Sequence, residues 1–395
     1  MRKKAMNWFM GTMVCLGFGT ESGYCQTPVL GDPLPGLVQT ELNRFGLGQS
    51  MFTHVVTRPE GLGPVFNGTS CVGCHGGTTG PIGGGSARVG TRFGRITLGQ
   101  FDPMVEFGGS LIQDKGIGIF GPVNFVGETV PPQATIVAAR KTTPLFGLGL
   151  VDAVADATFV QLAQHQSAAT PFTAGRPAFV NDPVTGQLVV GKFGWKAQQP
   201  NLFAFSADAL LNELGITTPI FPVENSPQGN SQLLLYNPAL TSPNALTADI
   251  VHELTDFMSL LAPPAPAPLT SDAVAGQFLF GSIGCADCHQ PTLQTGFNAV
   301  ASLNQVTFAP YSDFLLHDMG TLGDGIPQAN AGRTEMRTAP LWGLRFQKGL
   351  LHDNRAKTPT DAILAHDGQG AISRANFNKL NATQRKQLLA FLNSL

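Results

Sequence analysis

Apolar positions recur at helical spacing in a few separated windows, with long irregular stretches between them. Two windows match each other. "LTADIVHELTDFMSLL" (246–261) and "NATQRKQLLAFLNSL" (381–395) both carry apolar residues on one helical face and end in an apolar cluster. Asn381 is the expected N-cap of the second. "DATFVQLAQHQ" (156–166) predicts a further helix. In "TPTDAILAHDG", Thr358, Pro359 and Asp361 form a capping-box start and Gly368 a stop, so a short helix should end near His366. The region 166–243 predicts a hairpin followed by a helix from about Ser206, placed to cover a site or an interface.

Composition explains the gaps. The chain has 395 residues, 47 Gly and 29 Pro, with only 13 % charged residues, so much irregular backbone separates modest helices. The length allows two cores. A net charge of −2 gives no case for nucleic-acid binding. Arg2, Lys3 and Lys4 precede a mostly apolar stretch from Ala5 to Gly19, the pattern of a cleaved export signal over 1–25. No later stretch is apolar enough to span a membrane. The expected compartment is therefore the periplasm or another exported location.

Cys15 and Cys25 fall in or near that signal. The other four cysteines form "CVGCH" (71–75) and "CADCH" (285–289). Two thiols separated by two residues match the two vinyl groups of one haem, and the adjacent histidine reaches the iron. A single zinc on four thiolates would leave both histidines unexplained and would join sites far apart in sequence. The pattern thus predicts two covalently bound c-type haems, at Cys71, Cys74 and His75 and at Cys285, Cys288 and His289.

The flanking segments repeat as well. "GQSMF" (48–52) precedes the first haem motif and "GQFLF" (276–280) the second; "RKTTPLFGL" (140–148) and "RTAPLWGL" (337–344) follow them. Each half then closes with one of the matched helices. The expected fold is mainly α and loop-rich, with two cytochrome c-like haem domains, 30–262 and 269–395. The first carries an insertion at about 166–243 with some β structure. The run "APPAPAP" (262–268) should be an extended, semi-rigid linker.

The sixth iron position separates an electron carrier from an enzyme. His366 is a candidate for the second iron, with Met319, His317 and His352 competing. Aligning "ILAHD" with "QLAQH" sets Gln164 opposite His366 and His165 one step further on. Glutamine ligates haem iron poorly but hydrogen-bonds peroxide, which points to an open first iron.

The motif order resembles the di-haem oxidoreductase family, relatives of bacterial di-haem cytochrome c peroxidase and of the enzyme that matures tryptophan tryptophylquinone. The resemblance covers roughly 40–395, on "GLGPVFNGTSCVGCH", "TTPLFGLGLVDAV", "GKFGWKAQQPNL", "LLHDMGTLGDG", "RTAPLWGL" and "AILAHDGQG". It implies peroxide reduction at the N-terminal haem and electron entry at the C-terminal haem, from a small cytochrome or cupredoxin. It implies His366 as axial ligand where the peroxidases commonly have methionine. The peroxidases also carry a displaceable histidine soon after the first CxxCH, whereas here "GGTTGPIGGGSARVG" follows His75 with none, so the first iron is expected to stay open. The resemblance also implies calcium between the domains, through carbonyls at Thr338 and Pro340. Trp195 and Trp342 are candidate electron relays. Gln164, His165 and Gln113 are the candidate distal groups that steer protons. The alternatives are a carrier with two six-coordinate haems, or an oxygenase acting on an apolar substrate in an apolar distal pocket.

Overall fold

The structure is a computed structural model and describes residues 28–76, 81–237 and 249–395. The expected signal, the end of the insertion (238–243) and the start of the first closing segment (246–248) lie outside the described residues. Among the described residues there are nine α-helices: α1 (Gln39–Thr53), α2 (Leu148–Asp152), α3 (Asp156–Ala169), α4 (Leu202–Leu214), α5 (Ile250–Leu260), α6 (Ser271–Ser282), α7 (Pro359–Ala365), α8 (Ala371–Lys379) and α9 (Ala382–Leu392). None is long and apolar enough to cross a membrane.

The sequence repeat has a physical meaning. Helix α1 leads into the first CxxCH and packs on α5; α6 leads into the second and packs on α9. The repeated glycine is the crossing point in each pair. A Cβ on Gly48 would lie 2.1 Å from the carbonyl oxygen of Glu253, and one on Gly276 would lie 2.0 Å from that of Gln387. The repeated phenylalanine sits beside the motif histidine. Phe52 is 6.1 Å from His75 and Phe280 is 6.3 Å from His289, ring centre to ring centre. The opposite helix backs each ring, with Phe257 on Phe52 and Phe391 on Phe280. Gly48→Ala and Gly276→Ala are each expected to destabilise the fold by about 1–3 kcal/mol, because backbone rather than a flexible side chain blocks the added methyl. Thermal melts followed by circular dichroism check this.

The caps read from sequence are present. Asn381 and Gln384 form a capping box at α9, and Thr358 and Asp361 form one at α7, with Pro359 in its first turn. Helix α4 begins at Leu202, four residues before the expected Ser206, because the Asn201 side chain accepts from the Ala204 N–H.

Strand structure is not confined to the insertion. The expected hairpin is there, pairing Ala178–Asn181 with Leu188–Gly191. A three-stranded antiparallel sheet also precedes it, with Val89–Thr97 between Gln100–Asp102 and Ile136–Lys141. That sheet buries Phe93 with Met104 and Ile112 on one side. Alternation then puts Arg92 on the other side, near Arg140.

The larger apolar cluster takes residues from both halves. It joins α1, α2, α4 and α5 to Leu293, Leu303, Phe308, Phe314, Leu315 and Trp342. A smaller one holds α6 and α9 with Phe377 of α8. The proline run is extended but packed. Pro263 meets the turn at Gly147 and Pro264 the turn at Gly343, the glycines of the two repeated "PLFG" and "PLWG" motifs. Both glycines have φ of +70°, the left-handed region.

Candidate functional site

Each CxxCH opens onto its own cavity. The first cavity is lined by Cys71, Cys74 and His75, by the sheet at Arg88–Arg92, and by α4 from Phe205 to Leu214. The second is lined by Cys285, Cys288 and His289, by Met319 and His352, and by α7 with His366. The two share a wall of Lys141, Thr142, Thr143, Gly194, Trp195 and Phe205.

The motif histidines are oriented alike. His75 Nδ1 lies 2.9 Å from the carbonyl oxygen of Thr143, and His289 Nδ1 lies 2.9 Å from that of Tyr311. A carbonyl oxygen only accepts, so each Nδ1 donates and each Nε2 keeps a lone pair. Thr143 belongs to the first proline motif. Tyr311 does not belong to the second, so the repeat breaks at this contact. Burial pushes both imidazoles down to about 4, so both are neutral bases near pH 7.

His366 shares this arrangement. It follows α7, and its Nδ1 lies 2.7 Å from the Ala362 carbonyl oxygen. Burial again lowers its pKa. Its ring centre is 6.4 Å from that of His289. Two imidazoles on opposite sides of one ion, each nitrogen about 2 Å from it, have ring centres about 6 Å apart. The rival candidates are placed differently. His317 uses both nitrogens: Nε2 is 2.9 Å from Asp313 Oδ2, and Nδ1 is 3.5 Å from Cys288 Sγ. Asp313 raises the imidazole well above its ordinary range despite burial. His352 packs edge-on to Trp195, with ring centres 6.2 Å apart. Met319 lines the same cavity next to His366.

Among the described residues that line the first cavity, His75 is the only histidine. Its wall carries Arg88, Arg92, Asp208 and Glu213 instead. Burial raises the Asp208 carboxyl to about 6, although Arg92 opposes the rise. Burial also raises Glu213. Arg92 is pushed down to about 10, first by burial and then by Arg140.

The distal residues expected from sequence are elsewhere. Gln164 and His165 lie on the exposed face of α3 and line neither cavity. The alignment that placed them fails because α3 faces the second motif. Its buried Gln166 donates to the Asp287 carbonyl and to Asp313 Oδ2, both at 2.8 Å. Gln113 is buried behind α4, donating to the Asn212 carbonyl at 3.3 Å, and also lines neither cavity. The sequence signal for Asp208 and Glu213 was their presence in a helix otherwise rich in buried apolar residues.

Of the two tryptophans, Trp195 is in the shared wall and Trp342 lines the second cavity alone, packed on Phe308. Trp195 Nε1 donates to the Lys141 carbonyl at 2.8 Å, which fixes the ring between the cavities.

Residues 129–395 match the family described as "Di-haem oxidoreductase, putative peroxidase". The chain belongs to this family. Among solved structures, this di-haem oxidoreductase is similar to a variant of the diheme peroxidase BthA from Burkholderia thailandensis. The identity is 14 %, over 92 % of this chain and 87 % of that one, with a TM-score of 0.41. It is also similar to a MauG-like protein associated with microbial copper homeostasis, at 15 % identity over 95 % of each chain and a TM-score of 0.39. Hydrazine synthase of Kuenenia stuttgartiensis matches at 15 % identity over 96 % of this chain and 100 % of that one, with a TM-score of 0.38. No curated protein sequence matches the chain.

The residues of the di-haem oxidoreductase fit its family cofactor. Each cavity offers two thiols three positions apart and a neutral imidazole whose Nε2, among the described residues, makes no hydrogen bond to protein. Calcium at Thr338 does not fit. The Thr338 carbonyl accepts from Ser312 Oγ at 2.8 Å and from Arg337 Nη1 at 3.1 Å. Both lone pairs are engaged, one of them by a guanidinium cation. Among the described residues no group of three or more His, Cys, Asp or Glu side chains is placed to hold a metal ion.

Proposed function

We propose that this di-haem oxidoreductase is an exported peroxidase that reduces hydrogen peroxide at the first cavity with electrons entering through the second. The observation that carries the reading is the asymmetry of the cavities. The second sets two imidazoles, His289 and His366, 6.4 Å apart across the cavity and tilted to each other by 53°. The first offers His75 alone, opposite a wall that carries both acidic and basic side chains.

Haem would supply the redox-active iron at both positions, attached as thioethers through Cys71 and Cys74 and through Cys285 and Cys288. His75 would hold the first iron by Nε2. The Thr143 carbonyl would steady that ring and increase its donor strength. His289 and His366 would both hold the second iron, which would suit that site to passing electrons rather than to binding peroxide. The net reaction, H2O2 + 2 H+ + 2 e− → 2 H2O, needs a group that takes a proton from one peroxide oxygen and delivers it to the other. Asp208 lines the first cavity with a pKa of about 6, close to the working pH, which suits it to this task. Arg92 would favour the anionic form of Asp208 and orient the polar substrate. Arg88, Arg92, Asp208 and Glu213 set charge among the apolar residues of this cavity, whereas oxygenase chemistry on an apolar substrate needs a pocket without such groups. Trp195 would carry electrons across the shared wall. A small cytochrome or cupredoxin would be the external donor.

Spin state tests the asymmetry. Paramagnetic resonance of the oxidised protein should give one high-spin and one low-spin ferric signal. Stopped-flow mixing of reduced protein with peroxide should remove two electrons per peroxide. Two low-spin signals with no reaction beyond that of free haem would make it a carrier instead.

A further inference from the structure

The loop after the insertion hairpin sends one side chain deep into the other half. The Lys196 ammonium has 0 % exposure. It lies 2.6 Å from the carbonyl oxygen of Glu335, 3.0 Å from that of Gly332 and 3.3 Å from that of Arg333. Asp324 Oδ1 is 3.0 Å away, on a side chain 1 % exposed. Four oxygens thus surround a group with three N–H bonds to give. Three are backbone carbonyls, the donors that hard cations take from proteins.

The cage has its own supports. Glu335 Oε2 accepts from the Gly332 N–H at 2.7 Å, and Arg176 Nε donates to Glu335 Oε1 at 2.6 Å, which closes the 332–335 turn. The other oxygen of Asp324 accepts from Arg140 Nε at 2.7 Å. Burial alone would raise the Asp324 carboxyl, but Arg140 and Lys196 together hold it below its ordinary value. None of these contacts except the last depends on Lys196, so the oxygens stay convergent without it. Three of the four stand 3.0–3.3 Å from the nitrogen, beyond the roughly 2.3–2.6 Å of calcium–oxygen contacts, and the Glu335 carbonyl at 2.6 Å is at the upper edge of that range, so the set suits an ammonium.

The cage also adjoins the shared wall. The Arg337 N–H donates to the Trp195 carbonyl at 2.9 Å, and Arg337 Nε donates to the Gly194 carbonyl at 2.7 Å. Lys196 therefore pins the loop that carries Trp195 from the residue immediately after it.

We propose that Lys196 is a tethered cation. Its ammonium fills an oxygen site at the join between the two cavities, so the join needs no calcium, and removing it leaves a site that takes a small free cation. The inference rests on the cage and stands whether or not the protein reduces peroxide. Thermal melts of the haem-loaded full chain test it. In the wild type, neither a chelator nor millimolar calcium should move Tm. Lys196→Ala should lower Tm by about 5 °C or more, because Asp324 loses a buried partner. Calcium or potassium should restore at least half of that loss, and tetramethylammonium, too bulky for the cage, none of it. The double variant with Asp324→Asn should not respond to cations. If Lys196→Ala does not fold alone, its refolding yield with and without these cations gives the same reading. A wild-type Tm that falls on chelation and returns with calcium overturns the proposal. So does a Lys196→Ala protein that melts like the wild type or ignores every small cation.

Discussion

Asp208→Asn is expected to lower kcat/KM for peroxide by about 10²–10⁴-fold, the range for loss of a positioned proton-transfer group, while both haem spectra stay as in the wild type. The expectation follows from the wall of the first cavity. Asp208 lines it half-buried, with its carboxyl raised to about 6 by burial and with Arg92 and Glu213 as charged neighbours. Asparagine keeps the size and the hydrogen bonding but cannot take a proton. The sign of the pH dependence follows from the same group. A base must be ionised to accept a proton, so wild-type kcat/KM should rise as pH passes upward through about 6 and then level off. In Asp208→Asn that rise should vanish. Arg92→Leu should move it to higher pH, because Arg92 is what opposes the effect of burial on this carboxyl. Steady-state kinetics across pH separate the three proteins. If Asp208→Asn keeps wild-type turnover, another group moves the proton.

His366→Ala is expected to remove the low-spin signal of the second site and to slow reduction by an external donor by about tenfold or more. The ring stands 6.4 Å from His289, and its Nδ1 is held by the helix carbonyl of Ala362, a posture that neither His317 nor His352 shares. Added imidazole should restore the low-spin signal, because the vacated volume matches the missing ring. His366→Met should keep a six-coordinate site and raise the reduction potential, since a thioether is a weaker donor to ferric iron than imidazole. Potentiometric titration of the variant reads that shift. An unchanged low-spin signal in His366→Ala would instead give the position to Met319, which lines the same cavity.

Different residues were legible in the sequence to different degrees. Both CxxCH motifs are contiguous in sequence, so their place at two separate sites was legible at once, and each opens onto its own cavity. His366 was legible because a capping box at Thr358 and a glycine stop fix where α7 ends. The glycines of "GQSMF" and "GQFLF" were visible as a repeat, but their role as crossing points needs the partner helix, roughly two hundred and one hundred positions away respectively. Gln164 and His165 were misplaced because a five-residue alignment cannot tell which face of α3 is buried; Gln166 is, against the second motif. Asp208 was missed because a carboxylate in an apolar helix does not announce what it faces. Lys196 could not be read at all, since three of its four partners are backbone carbonyls, which leave no trace in the order of side chains.

The shared apolar cluster has a consequence for how the protein is made. Leu293, Leu303, Phe308, Phe314, Leu315 and Trp342 complete a core that otherwise belongs to the first two hundred and sixty residues. A chain emerging N-terminus first therefore presents Cys71 and Cys74 long before that core can close. The early stretch must wait, partly collapsed and with its thiols accessible, until the later one arrives. For the proposed haem attachment at Cys71 and Cys74, that interval would be the natural window, and the second motif follows only shortly before closure. Truncating the chain before residue 293 should thus leave a first half that still takes up its cofactor but cannot seal the compartment around it.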